Sequence, residues 1–331
     1  MTINDRKTIT SGKLSPQALT RSVLSFTGAK RPEVLIGPGI GEDAAVIKWQ
    51  AGKYMVFSSD PIVGADKGAG RLLVRVNSND IASKGGEPAY LTVTLILPPS
   101  FGEEGAAAIM NEINEECRAQ GIAIAGGHTE FNDRYDRPVI MGSLVGTADK
   151  VMRADSISAG DRLIVTKHLC IEGMSILAHD RPDLLTQFMN ETEIQTVKSW
   201  EDLTSVLPES RVLRRFAKFM HDPTEGGFDG GLAEISLLCG LKAHIDANAL
   251  PINELTMRAA QHLRFDPRHL IASGSLIAVV PQAETDSALS ALAKENIPCA
   301  AVGYITDIKN DALPDCSEAL WRLLKMGKDN D

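Results

Sequence analysis

The stretch GPGIGEDAAVIKW, residues 37–49, sets three glycines within five residues ahead of Glu42, Asp43 and a short apolar run. A loop of this composition can cradle a phosphate, deliver an acid to a metal, or turn the chain into a strand. The phosphate loop of nucleoside triphosphatases ends in Gly-Lys-Ser/Thr and opens a helix. No such ending occurs here, and AAVIKW (44–49) reads as a strand. The dinucleotide fingerprint fails too, because the spacing is G-x-G-x-G and no helix follows. Neither common nucleotide-binding motif fits the loop.

Outward from this loop, strand and helix signals alternate. SPQALTRSVLSFTG (15–28) reads as a short helix with Ser15 as N-cap and Pro16 at the first helical position. YMVFSSD (54–60) is a strand expected to stop at Asp60, since Pro61 cannot continue a central ladder. RLLVRVNSNDIASKGG (71–86) is a helix ended by Gly85 and Gly86. YLTVTLILPP (90–99) is a strand, and GEEGAAAIMNEINEECRAQG (102–121) a helix with an acidic first turn and a terminal glycine. IAIAGG (122–127) and RPVIMGSLVGTA (137–148) follow as strands.

A second beginning appears at SAGDRLIVTKHL (158–169), so two domains are expected, 1–157 and 158–331. Beyond it, IEGMSILAHD (171–180), SRVLRRFAKFMHD (210–222), DGGLAEISLLCG (229–240), INELTMRAAQHL (252–263) and TDSALSALAKEN (285–296) read as helices. SLIAVV (275–280) and AAVGYIT (300–306) read as strands. The alternation predicts an α/β architecture.

Composition narrows the function classes. With 34 basic and 43 acidic residues the formal charge is −9, which argues against a broad nucleic-acid-binding surface. The five cysteines (117, 170, 239, 299, 316) form no C-x-x-C pair and read as reduced thiols. No apolar run approaches the roughly 18 residues of a membrane span. The expected protein is soluble and cytoplasmic, without membrane or nucleic-acid partners.

Acids recur beside glycines and strand ends. Asp43 follows the glycine loop, Asp60 closes a strand, and Asp80 shares a helix face with Asn77 and Lys84 at spacings i, i+3 and i+7. AGGHTEF places His128 and Glu130 directly after a buried-looking strand, and HDPTEGGFDGG places Asp222 and Glu225 among glycines. Oxygen donors of this kind suit a hard cation such as Mg²⁺. Gathered without one, each close carboxylate pair would repel by about 4 kcal/mol at 4 Å and an effective dielectric near 20. Each acid also has a plainer reading as a turn, strand-end or solvated helix residue. DPTE equally fits a capping box, with Asp222 at N-cap and Glu225 at N3.

GPGIGEDAAVI, SSDPIV, VNSNDIASKGGEP, AGGHTE, DPTEGG and SGSLIAV occur in one order over roughly residues 35–310. Together they resemble the aminoimidazole ribonucleotide (AIR) synthetase-like superfamily. It includes selenophosphate synthetase, thiamine-monophosphate kinase and the hydrogenase-maturation carbamoyl dehydratase. GEDAAVI and DPTEGG are most similar to the last of these. The resemblance implies two α/β domains, the first for ATP/Mg²⁺ binding and dimerisation, and a homodimer whose N-terminal sheets close a shared barrel. It implies ATP and Mg²⁺, with Asp43, Asp60, Asp80 and Asp222 as metal ligands. Gly39 and Gly41 would belong to a lid, Gly126 and Gly127 would approach phosphate by backbone, and Asn77 and Thr224 would bond phosphate or water. His128 and Glu130 would be the acid–base candidates.

Three departures accompany the resemblance. The maturation enzyme ends in Pro-Arg-x-Cys, whereas this chain ends KMGKDND with Cys316 as its last cysteine. Dehydration of a carbamoyl thiol on its own tail is therefore not expected. His128 stands where the kinase and maturation branches carry aspartate, and Glu225 where the maturation branch carries arginine. The leading expectation is an ATP- and Mg²⁺-dependent enzyme that phosphorylates and so activates an amide-type or similar oxygen. A small-molecule kinase, leaving a stable phosphorylated product, is the second reading. A nucleotide-binding partner without turnover is the third.

Overall fold

The structure, a computed structural model, describes residues 12–13, 16–36, 46–47, 54–63, 68–150, 152–310 and 318–327. It divides into two compact units. One is Met1–Ile81 with Gly86–Asp149, the other Ala82–Gly85 with Lys150–Asp331.

The first unit contains, in chain order, β1 (Gly12–Lys13), α1 (Pro16–Ser22), β2 (Val34–Ile36), β3 (Val46–Ile47) and β4 (Tyr54–Val63). After these come α2 (Ala69–Ser83), β5 (Glu87–Leu97), α3 (Gly102–Gln120), β6 (Ala123–Phe131) and β7 (Val139–Ala148). Its main sheet has the order β1-β6-β5-β7-β4, and β2 pairs with β3 separately. Only β5 and β6 run parallel among the described strands of that sheet, joined by α3, since a parallel pair needs a long crossover.

α3 forms where the spacing predicts. Ile109, Met110, Ile113 and Cys117 make a buried stripe, and Gly121, at φ 75°, ends the helix in the left-handed conformation. The alternation of β5 turns Leu91, Val93, Leu95 and Leu97 into the core beneath α2 and α3. Burial of each such leucine contributes about 2 kcal/mol. β4 differs from expectation, because it continues through Pro61 to Val63. Among the described strands it lies at the edge of the sheet, where a missing backbone donor costs far less than in the middle.

The second unit contains β8 (Arg162–Thr166), α4 (Ile171–Asp180), α5 (Pro182–Leu185), α6 (Glu191–Lys198), α7 (Leu207–Leu213) and β9 (Phe219–His221). It continues with α8 (Gly227–Cys239), β10 (Leu241–Ile245), α9 (Glu254–Leu263), β11 (Ile277–Val280), α10 (Thr285–Lys294), β12 (Cys299–Lys309) and α11 (Leu320–Lys325). The sheet order is β10-β12-β8-β11-β9, with every pair antiparallel.

Helices cover both faces of this sheet. Leu163, Val165, Ile277 and Val279 face a core shared with α4, α8 and α11, while Ile164, Ala278 and Val280 face α7 and α10. Hence β8 and β11 read as continuous apolar runs rather than as alternation. The stretch 210–222 is not one helix. α7 ends at Leu213, and Phe219–His221 becomes β9, with Phe219 and Met220 buried on opposite faces beside β11. Periodicity alone does not distinguish so short an apolar run from helix. Among the described residues no helix is long and apolar enough to cross a membrane.

Candidate active site

β4 and α2 bring three of the expected residues together. Asn77 is fully buried, and its amide brackets the strand: Oδ1 accepts from Asp60 N at 3.0 Å, and Nδ2 reaches Asp60 O at 3.4 Å. The same Nδ2 donates to Leu73 O at 2.9 Å, so both donors are turned to carbonyls of the chain. Gly142, opposite Asp60 on β7, leaves the space, since a Cβ there would stand 3.0 Å from Asn77 Nδ2. Ser58, two residues before Asp60 and therefore on the same strand face, donates to Asp80 Oδ2 and lies 3.3 Å from Asn77 Oδ1. Among the described residues nothing donates to the half-buried Asp60 carboxylate. Ser58 was not singled out in the sequence, although SSD carries it two positions from the acid.

The strand register places the remaining stations of this unit. Asp60, Gly142, Val93 and Gly127 form one row across β4, β7, β5 and β6. Three strand spacings put Gly127 about 14 Å from Asp60. Gly127 must be glycine, because an added Cβ would lie 1.9 Å from Val93 O, whereas at Gly126 it would meet nothing within 4 Å. The next row is Pro61, Met141, Thr94 and His128, and its side chains point to the opposite face. His128 Nε2 lies 3.3 Å from Glu130 Oε2, and Asn132 Nδ2 donates to Glu130 Oε1 at 3.3 Å. The sheet thus separates the His128–Glu130 pair from the Asp60–Asp80 pair. Thr129 and Phe131, between and after them, are buried on the helix side.

In the second unit Asp222 follows β9 and is buried, while Thr224 and Glu225 are exposed. The capping box is not realised. α8 starts at Gly227 after a left-handed Gly226 at φ 81°, and Gly226 N donates to Glu318 Oε2 at 2.7 Å. The glycines are steric requirements: a Cβ on Gly231 would stand 2.8 Å from Pro223 Cβ, and one on Gly227 2.5 Å from Arg268 O. On the first turn of α8, Asp229 accepts from Arg268 Nη2 at 2.6 Å and meets His269 Nε2 at 3.2 Å. Further along, His221 bonds Glu234 at 2.5 Å and holds that carboxyl below its ordinary range. Gly39, Gly41, Asp43 and Cys316 lie outside the described residues. Among the described residues no three His, Cys, Asp or Glu side chains form a group that could hold a metal ion.

Residues 41–148 match the AIR synthase related protein N-terminal domain, and residues 158–315 match its C-terminal domain. The chain belongs to the AIR synthase related family. It is 27% identical over 290 residues to a putative hydrogenase expression/formation protein of Methanocaldococcus jannaschii, covering 82% of each chain. It is 29% identical over 266 residues to the carbamoyl dehydratase HypE of Cupriavidus necator, covering 76% of this chain and 72% of that one. Among solved structures, Escherichia coli HypE superposes with a TM-score of 0.76 at 24% identity, over 93% of this chain and 100% of that one. A HypE structure in complex with ATP superposes with a TM-score of 0.71 at 21% identity, over 89% and 87%. The fold of this chain is therefore the two-domain AIR-synthetase-like α/β fold.

Proposed function

We propose that the protein binds ATP with magnesium and phosphorylates, and so activates, an oxygen of an amide-type or similar group on a small molecule or modified side chain. The observation that carries this reading is the half-buried Asp60 carboxylate, which meets no donor among the described residues and sits on a strand whose backbone Asn77 holds and whose Ser58 bonds Asp80. Two hard oxygen donors carried by neighbouring elements, Asp60 on β4 and Asp80 on α2, suit Mg²⁺, which takes one or two carboxylates together with substrate phosphates. The relatives add support, one named a carbamoyl dehydratase and one structure holding ATP.

In this reading Asp43, Asp60, Asp80 and Asp222 hold the metal. When bound, it neutralises charge on the phosphates. Asn77 serves by holding Asp60, because its own donors are engaged. Gly39, Gly41, Gly126, Gly127 and Thr224 line the nucleotide. Glu130 orients the His128 imidazole on the open face of the first sheet, and because that face is opposite Asp60 and Asp80 the pair is not assigned a proton transfer at the metal-bound phosphate. That face also exposes Met55, Phe57 and Met141, with Phe57 68% accessible, which favours a homodimer joined there. A cytoplasmic location fits this activity.

Calorimetric titration with ATP tests the reading. Binding is expected to require magnesium and to weaken about tenfold or more in Asp60→Asn, each tenfold being about 1.4 kcal/mol. Stability is expected to stay unchanged, because Asn77 holds the backbone of Asp60 rather than its carboxylate. Equal affinity in EDTA and in magnesium defeats the proposal. Product analysis then separates the chemistries: free phosphate with an altered acceptor marks activation, and a stable phosphorylated product marks a kinase.

A further inference from the structure

Among the described residues, the N-termini of α2 and α8 are closed by carboxylates borne on other elements or distant chain. At α2, Glu112 of the neighbouring α3 accepts from Gly70 N at 3.0 Å and Gly68 N at 3.3 Å. At α8 the carboxylate comes from much further away. Glu318 stands 92 residues beyond Gly226, accepts its N–H at 2.7 Å, and accepts from Ile271 N at 3.2 Å and Leu320 N at 2.8 Å.

Glu318 is delivered by a docked helix. Leu320 and Leu323 of α11 are buried in the core of the second unit. Ala319 N donates to His269 O at 3.0 Å, and Arg322 Nη2 donates to Arg264 O at 2.9 Å. The buried Arg181 closes the other end, donating through Nη1 to Leu324 O at 3.0 Å and Leu323 O at 3.3 Å. Gly226 and Gly227 both lie at positive φ, 81° and 64°. A glycine pair has the least intrinsic preference of any two residues, so its conformation must be fixed by partners. Gly227 is fixed by close packing on Arg268 and Leu270, and Gly226 by the Glu318 carboxylate.

We infer that Glu318 is a positioning residue: seated on Gly226 N, it lets the C-terminal helix set the turn that carries Asp222 and Thr224. Docking of α11 and affinity at that turn are then coupled, with an energy of the usual allosteric size. The inference rests on the reading of Asp222 and Thr224 as magnesium and nucleotide residues.

The test uses the full chain with Glu318→Gln, Arg322→Ala and, as a control, the exposed Trp321→Ala. Glu318→Gln keeps the side chain's shape but sets an amide N–H₂ against backbone N–H groups. Hydrogen exchange is followed in the peptide spanning residues 222–228, and magnesium–ATP affinity by calorimetry. Glu318→Gln is expected to raise exchange in that peptide about tenfold and to weaken magnesium–ATP about tenfold. Arg322→Ala is expected to do both to a smaller degree, and Trp321→Ala neither, with the β5–β6 peptides unchanged throughout. Unchanged exchange at 222–228 in Glu318→Gln overturns the inference, as does faster exchange with unchanged affinity. Should Glu318→Gln not fold, unchanged exchange in Arg322→Ala overturns it instead. If the wild-type protein binds no magnesium–ATP, the nucleotide reading fails, and exchange alone decides whether α11 sets the turn.

Discussion

Replacing Gly127 by alanine should break the pairing of β5 with β6, whereas the same change one residue earlier should be silent. The added Cβ at position 127 would lie 1.9 Å from Val93 O, against the 3.0 Å below which such contacts do not occur, so the strands must part by about 1 Å. Val93 cannot retreat, because it is 4% exposed and is paired on its other side with Gly142. A ladder bond near 2.9 Å stretched by that amount is no longer a hydrogen bond. Two flanking bonds at about 1 kcal/mol each, with overpacking of about 1–3 kcal/mol, give a destabilisation near 4 kcal/mol. Gly126→Ala meets nothing within 4 Å and does not sit at positive φ, so it should leave stability unchanged or raise it by about 0.5 kcal/mol. Urea unfolding followed by circular dichroism reads the difference. With a slope of about 2 kcal/mol per molar, the Gly127→Ala midpoint should fall by about 2 M. A wild-type midpoint for Gly127→Ala, or an equal fall for Gly126→Ala, refutes the reasoning.

Burial, with the nearby Glu318 charge, pushes the Glu172 carboxyl above its ordinary 4.5, against a hydrogen bond from Ser273 that pulls it down. A raised folded-state pKa means that its stabilising contribution is full below pH 4.5 and is lost as pH rises through the folded value. Glu172→Gln should therefore melt higher than wild type at pH 8, with the gain vanishing near pH 4; a gain independent of pH refutes this. Phe57→Glu places a charge on the open sheet face and should convert a dimer to monomers in sedimentation, whereas a wild type already monomeric removes the dimer from the proposal.

Local signals were legible where the cause is local. The buried stripe of α3 and its left-handed Gly121 follow from spacing and from glycine's tolerance of positive φ. The ordered set of glycine and acid motifs pointed to the family that the two domain matches show. What escaped was topological. Pro61 reads as a stop unless β4 is known to lie at the edge of the described strands, and Phe219–His221 reads as helix until β11 supplies its partner. Nothing local in DPTEGG tells against the alternative capping-box reading, because the group on Gly226 N lies 92 residues away. No single-strand pattern tells that His128 and Asp60 point to opposite faces, since that depends on register counted across four strands.

The sheet order of the first unit bears on how the chain emerges from the ribosome. β7 lies between β5 and β4, and β4 pairs with no other described strand, so roughly 75 residues must follow Val63 before Val139 begins its partner. At about 5–20 residues per second, β4 waits some 4–15 seconds with its ladder unpaired and Val56 and Ile62 without the core they pack against. By contrast β5, α3 and β6 are contiguous and can assemble as they appear. A nascent chain arrested before residue 139 would thus present a finished βαβ module and a bare apolar strand, which is the species a chaperone would meet.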